Sequence, residues 1–183
     1  MTFTVNRTLI RHRNINSRQL VDKKESFIEA LKVNEGFVYK IASVYTDNKE
    51  DKHDLIQEIL YQLWKSFDTF NQQSSLSTWM YRVALNVSIY QLKQSKKRVS
   101  TVPINEEMYN TYKEDNTNNE EKWNIFKQHI ENLNLLDKGI VMLYCEDKSY
   151  DEIAEIIGIS KSNVGTKLLR IKEKLKLQIN KSL

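Results

Sequence analysis

From Asp54 to Phe67 an apolar side chain returns every fourth residue, at Leu55, Ile59, Leu63 and Phe67, while Asp54, Gln57, Glu58, Tyr61 and Lys65 fall elsewhere. A helical period gathers the first set on one face, which then needs a second helix to bury against. A polar, turn-prone stretch from Phe70 to Thr78 follows, after which Trp79, Val83, Val87 and Tyr90 form another helical stripe. Upstream, Phe27, Leu31, Val38, Ile41 and Val44 keep helical spacing for a turn or two at a time, with Gly36 placed to interrupt them and TDNKED reading as a loop. Trp64 is assigned to core filling in preference to an interface anchor. Farther on, Trp123, Phe126, Ile130 and Leu133 mark one helix, and Leu136, Ile140, Leu143 and Tyr144 mark the next. No sustained alternation of the kind a strand needs is present, and no internal repeat. The pattern predicts an all-α fold.

The segment from Ser149 to Lys176 predicts two helices about a tight turn. Ser149 and Glu152 have the spacing of a capping box, so a helix starts near Tyr150, with Tyr150, Ile153, Ala154 and Ile157 on its apolar side. Gly158 supplies the left-handed position that commonly ends a helix. Ser160 can cap a second helix, whose Val164, Leu168, Ile171 and Leu175 would pack on the first. The opposite face carries Ser162, Asn163, Thr166, Lys167 and Arg170, hydrogen-bonding and cationic groups near a helix start, which suits the major groove of DNA. An ordinary helical hairpin with a solvated basic face has the same pattern. Arg82, Asn86, Lys93 and Lys97 likewise share one side of their helix, and either a nucleic-acid backbone or plain solvent would satisfy them.

Composition divides the chain. The only proline, Pro103, is followed by the acidic, Asn-rich run NEEMYNTYKEDNTNNEEK, which reads as a flexible acidic linker over 99–122. It separates a first helical domain, 23–98, from a second, 123–183, and residues 1–22 read as a flexible basic N-terminal arm. Joined in this way, the two domains are expected to move independently. The formal charge of +4 over 183 residues favours an anionic partner. The one cysteine, Cys145, allows no internal disulfide and reads as a buried structural thiol. His12, His53 and His129 are far apart and lack metal-ligand spacing, and Gly36, Gly139, Gly158 and Gly165 are too scattered for a phosphate loop. No catalytic constellation is expected, nor any metal or cofactor. With no apolar run long enough to span a bilayer and no signal-peptide core, a cytoplasmic protein without membrane insertion is expected.

Three passages, DLIQEILYQLW at 54 to 64, STWMYRVALN at 77 to 86 and SYDEIAEIIGISKSNVGTKLLRIKEKL at 149 to 175, together resemble bacterial RNA polymerase sigma factors of the extracytoplasmic-function group. The likeness runs from about residue 22 onward, with the first domain similar to region 2 and the second to region 4. It implies a factor that binds core RNA polymerase, through the β′ coiled coil and the β flap, and directs initiation at promoter DNA, with an anti-sigma factor as a further partner. Asp54, Gln57 and Glu58 match the helix that docks on the β′ coiled coil. The loop holding Asn71, Gln72, Gln73, Ser74 and Ser75 matches the one that captures a base flipped from the minus-10 element, with Trp79 packed beneath it. Arg82, Asn86 and Lys93 extend that minus-10 surface. Lys161, Ser162, Asn163, Thr166, Lys167 and Arg170 match the minus-35 recognition helix.

The chain departs from the group's pattern after Asn86, where Tyr90 and Lys93 stand in place of the usual aspartate and arginine; lysine keeps the charge but loses the bidentate fork. Gly139 and Gly165 sit inside predicted helices, so those helices are expected to depend on tertiary packing. Leu169 faces outward on the helical wheel without a polar role. Two rival classes fit parts of the sequence: a sigma-like mimic that binds an anti-sigma protein, and a stand-alone helix-turn-helix regulator. The second leaves DLIQEILYQLW without a purpose.

Overall fold

A computed structural model describes residues 22–34, 36–95 and 125–182. Among these the architecture is all-α, as the periodicity predicts: α1 (22–33), α2 (Phe37–Tyr45), α3 (Lys49–Ser66), α4 (Leu76–Ser95), α5 (125–130), α6 (Leu135–Cys145), α7 (Tyr150–Ile157) and α8 (Lys161–Ser182), with a 3-10 turn at Phe67–Thr69. The arm, apart from Asp22, and the linker lie outside the described residues, as do Lys97 and Trp123.

Helix starts follow local side-chain chemistry. Asn48 accepts a hydrogen bond from the Asp51 amide at 2.7 Å, and Glu50 and Asp51 place negative charge in the first turn. The helix therefore begins at Lys49, inside the stretch read as a loop. Asn134 caps α6 in the same way, accepting from the Asp137 amide at 2.9 Å. The predicted capping box at α7 is complete: the Glu152 amide donates to the Ser149 hydroxyl at 3.2 Å, and the Ser149 amide donates to the Glu152 carboxylate at 2.9 Å. Gly36 separates α1 from α2 at φ +81°, and Gly158 ends α7 at φ +78°, both in the left-handed region that glycine enters without strain.

Ile41, Ile59, Leu63, Met80 and Leu85 fill the first domain; Ile130, Ile140, Met142, Leu143, Ile153 and Leu168 fill the second. Phe27 joins α1 to this core, its ring 5.3 Å from both Trp64 and Phe67 in edge-on contacts. Two expectations fail here. On α4 the buried set is Thr78, Met80, Tyr81, Ala84, Leu85 and Ser88, with Trp79, Val83 and Val87 half-buried and Tyr90 exposed. The reason is that α4 packs on α2 and α3 and also on α6 and α7, so it is covered on more than the one face a single stripe describes. Cys145 is exposed at the end of α6.

The two halves expected to move independently are in contact in this structure. α2 packs on α6, and α4 on α6 and α7, so buried residues of both halves form one continuous core. The Tyr45 hydroxyl donates to the Leu135 carbonyl at 2.7 Å across the junction.

Candidate polymerase and nucleic-acid surfaces

On α3, Asp54 and Gln57 are exposed and Glu58 is half-buried. They edge a groove of about 900 Å³ that runs between the start of α3 and the end of α4. Asp47 and Asp51 add negative charge to it, and Tyr61 and Gln91 add hydrogen-bonding and apolar surface. Local bonds hold two of the expected residues: Gln62 donates to Glu58 at 2.8 Å, and Gln57 lies 3.2 Å from a ring nitrogen of His53. The concave acidic wall suits a basic protein element. Sequence reasoning found its α3 side, Tyr61 included, but missed Gln91 and Leu92, because the α4 contribution depends on how the two helices cross.

The loop between the 3-10 turn and α4 presents Asn71, Gln72, Gln73 and Ser75 to solvent, with Ser74 half-buried. Gln72 adopts φ +59°, a conformation that costs a non-glycine residue roughly 1 to 3 kcal/mol. Asn71 steadies the bend by accepting from the Gln73 amide at 3.3 Å. Ser75 caps α4, its hydroxyl accepting from the Thr78 amide at 3.1 Å and donating to the Thr78 hydroxyl at 2.8 Å. Beneath the loop, Trp79 lies 5.5 Å from the Phe70 ring and 6.3 Å from Phe67. Strained polar backbone on an aromatic floor can receive a planar group.

Along α4, Asn86 and Lys93 are exposed. Arg82 is engaged instead: its guanidinium donates to the Glu155 carbonyl of α7 at 2.7 Å, with the Glu155 carboxylate 3.9 Å away.

On α8, Ser160 caps the helix by accepting from the Asn163 amide at 3.2 Å. Ser162, Asn163, Thr166, Leu169 and Arg170 face solvent, and Leu169 is 60 % exposed. Thr166 donates its hydroxyl back to the Ser162 carbonyl at 3.0 Å. The three cations differ. Arg170 makes no ion pair among the described residues, whereas Lys161 pairs with Asp151 at 2.7 Å and Lys167 with Asp137 at 3.0 Å. Lys167, expected on the outward face, is half-buried against the start of α6. Gly165 faces the ring of Tyr150, where an added Cβ would make ordinary contact at 3.6 Å.

Titration is perturbed away from these faces. Burial, and secondarily the Glu146 carboxylate, pushes the Tyr81 phenol up to about 12. Burial raises the Tyr45 phenol as well. Although Cys145 is exposed as a residue, its thiol is partly desolvated by the surrounding protein, and this, followed by the carboxylates of Glu146 and Asp147, pushes the thiol up, which keeps it protonated and a poor nucleophile. Among the described residues, no three His, Cys, Asp or Glu side chains converge as a metal site, and no helix is long and apolar enough to cross a membrane.

Comparison with known proteins places both halves. Residues 31–98 match Sigma-70 region 2, and residues 126–175 match Sigma-70, region 4. The chain is 26 % identical over 144 residues to RNA polymerase sigma factor SigV of Bacillus subtilis, covering 78 % of this chain and 84 % of that protein. To ECF RNA polymerase sigma factor SigW of the same organism it is 26 % identical over 170 residues, covering 85 % and 90 %. Its fold resembles CnrH solved in complex with the cytosolic domain of CnrY, with a TM-score of 0.66, 14 % identity and coverage of 87 % and 91 %. It also resembles the sigma factor RpoE solved in complex with the anti-sigma factor NepR from Bartonella quintana, with a TM-score of 0.60, 18 % identity and coverage of 87 % and 97 %.

Proposed function

The chain belongs to the sigma-70 family, within its extracytoplasmic-function group, and from that premise we propose how its three surfaces divide the work of promoter-directed initiation. The acidic groove on α3 and α4 docks the β′ coiled coil of core RNA polymerase, with Asp54, Gln57 and Glu58 as its polar contacts, and the second domain engages the β flap. Exposed Asn71, Gln72 and Gln73, above the Trp79 floor, receive a base flipped from the minus-10 element. Unstacking a base costs a few kcal/mol, so a pocket that holds it couples strand opening to sequence choice. Arg82, Asn86 and Lys93 follow the adjacent backbone as counter-charges and donors. The outward face of α8 reads the minus-35 duplex from Ser162, Asn163, Thr166 and Arg170. Lys161 and Lys167 supply positive charge beside the phosphates. The work takes place in the cytoplasm, and an anti-sigma protein acts by covering these faces.

The observation that carries this reading is the polar face of α8, solvent-facing on a capped helix-turn-helix, in a chain whose other half presents an acidic groove and a polar loop over tryptophan. Transcription in vitro with core polymerase tests it. The chain should confer specific initiation on a subset of promoter fragments from its source. Glu58→Lys should weaken assembly with polymerase at an unchanged melting temperature; equal affinity of variant and wild type would remove the groove from the docking surface.

A further inference from the structure

Of the three cations assigned to DNA on α8, Arg170 makes no ion pair among the described residues, and the two lysines are paired on unequal terms. Lys161 meets Asp151 at 2.7 Å, but these side chains are 62 % and 70 % exposed, so water and salt screen the pair and the lysine can leave it at little cost. Lys167 meets Asp137 at 3.0 Å with the side chains 33 % and 18 % exposed. Asp137 is also fixed independently of the lysine. Its second carboxylate oxygen accepts from the Asn134 side-chain amide at 2.7 Å, and its backbone amide donates to the Asn134 side-chain oxygen at 2.9 Å. The capping turn of α6 therefore sets a stationary negative charge beside α8. Arg170 lies three residues after Lys167 and Asn163 four before it, which makes both its neighbours on the helix surface.

Sequence-independent affinity for DNA comes from lysines and arginines that displace counterions from phosphates. A lysine paired with a fixed carboxylate displaces fewer. If it stays on Asp137 its charge is balanced, and if it turns to a phosphate it leaves a bare carboxylate beside the duplex.

We propose that Asp137 is a positioning residue that sets the strength of DNA binding by α8: it balances Lys167 beside the base-reading face, which weakens the hold on every sequence and leaves the groups that read bases untouched. The ion pair is a contact in the structure; its consequence for DNA rests on the function proposed above. Weakening all sites alike empties altered sites at a concentration of factor that still fills the matched one.

The test measures the full chain assembled with core polymerase as salt is varied, on a duplex carrying the minus-35 element of a promoter the factor transcribes and on the same duplex with that element scrambled. The chains are wild type, Asp137→Asn, Asp137→Gln, Asp151→Asn and Asp137→Asn/Lys167→Gln. Asparagine keeps an oxygen for the Asn134 side chain, and glutamine is favoured three residues after a helix cap, so two separate replacements carry the same charge change on a folded α6. Each should tighten binding to both duplexes by up to about 15-fold at 50 mM salt and about 4-fold at 200 mM, the effect of one further phosphate neutralised at a slope of about 0.9, counted from 1 M salt. The ratio of matched to scrambled affinity should stay that of wild type. The double variant restores the net charge and should return both affinity and salt dependence to wild type. Asp151→Asn should steepen the salt dependence far less, because its pair is open to solvent. An unchanged salt dependence in both Asp137 variants overturns the proposal. Equal steepening in Asp151→Asn overturns it too, since the loss of any negative charge would then do the same. Steeper dependence in the Asp137 variants, with no chain telling the matched duplex from the scrambled one, leaves the charge balance standing and overturns the assignment of α8 to the minus-35 element.

Discussion

The two long helices assigned to DNA, α4 and α8, solve opposite packing problems. α4 is covered from several sides, by α2 and α3 of its own domain and by α6 and α7 of the other. α8 lies on α6 and α7 and keeps a continuous outer face. The consequence is visible in two arginines. Arg82 is held by a neighbouring carbonyl, while Arg170 makes no ion pair among the described residues. A helix in the middle of a fold presents to a partner only what its neighbours leave uncovered, and a helix at the edge keeps its outer face open.

The largest test of this contrast exchanges leucines. Leu85 on α4 is 2 % exposed and touches the junction, so Leu85→Ala should cost about 2 to 5 kcal/mol. Leu169 on α8 is 60 % exposed, and its alanine variant should stay within about 0.5 kcal/mol of wild type. Urea titration followed by circular dichroism reads both, and equal losses would erase the distinction between the helices. A smaller effect separates cations on α8. Arg170→Ala should lose about 1 to 3 kcal/mol of discrimination between matched and altered minus-35 sites, since an arginine fork can read a base edge. Lys167→Ala should weaken binding to all sites evenly and also lower stability by up to about 1 kcal/mol, because Asp137 loses its ion pair and keeps only the hydrogen bond from the Asn134 side chain. Binding measured across a site library, with salt varied, decides between these outcomes. If Arg170→Ala weakens matched and altered sites equally, base reading belongs to Ser162, Asn163 or Thr166.

A third prediction probes the junction by pH. The Tyr81 phenol is raised to about 12 from its ordinary 10.0, chiefly by burial. Below pH 10 it is protonated whether the chain is folded or not, and contributes no pH dependence. Between about 10 and 12 the unfolded form releases its proton first, so stability should fall as pH rises through that window. Tyr81→Phe should flatten the alkaline part of the stability curve. An equally steep fall in the variant would locate the effect elsewhere.

How much of this was legible before the structure depends on how far each interaction reaches along the chain. The capping box at Ser149, the turn at Gly158 and the buried Ile59 and Leu63 need only neighbours a few residues away, and all stand where their spacing puts them. The start of α3 was equally local, because Asn48 followed by Asp51 is a cap signal, yet the polar run hid it. The buried set on α4 depends on a second domain that no period in α4 describes. Gly139 was noticed as a cost to its helix, but the reason for it is a tyrosine hydroxyl in the other domain. Lys167 looked free on a helical wheel because the wheel does not contain Asp137. The acidic groove was half legible for the same reason.

The smallest predicted effect lies at the helix that joins the two compared. α7 touches both α4 and α8, and it begins at the exposed capping box of Ser149 and Glu152. Two hydrogen bonds from Ser149, first from its amide and then from its side chain, hold the Glu152 carboxyl below its ordinary value of 4.5. A carboxylate with a depressed folded-state pKa stabilises the fold at pH above that ordinary value, and the contribution disappears as pH falls through the folded value. Glutamine keeps the reciprocal amide contact of a capping box but cannot titrate. Glu152→Gln should therefore match wild type in acid and fall slightly below it near neutrality, while Ser149→Ala should cost about 1 kcal/mol across the range because the cap itself is lost. Thermal melts from pH 3 to pH 7 distinguish the two, and a Glu152→Gln curve parallel to wild type at every pH would mean that the carboxylate's charge contributes nothing to holding α7 in place.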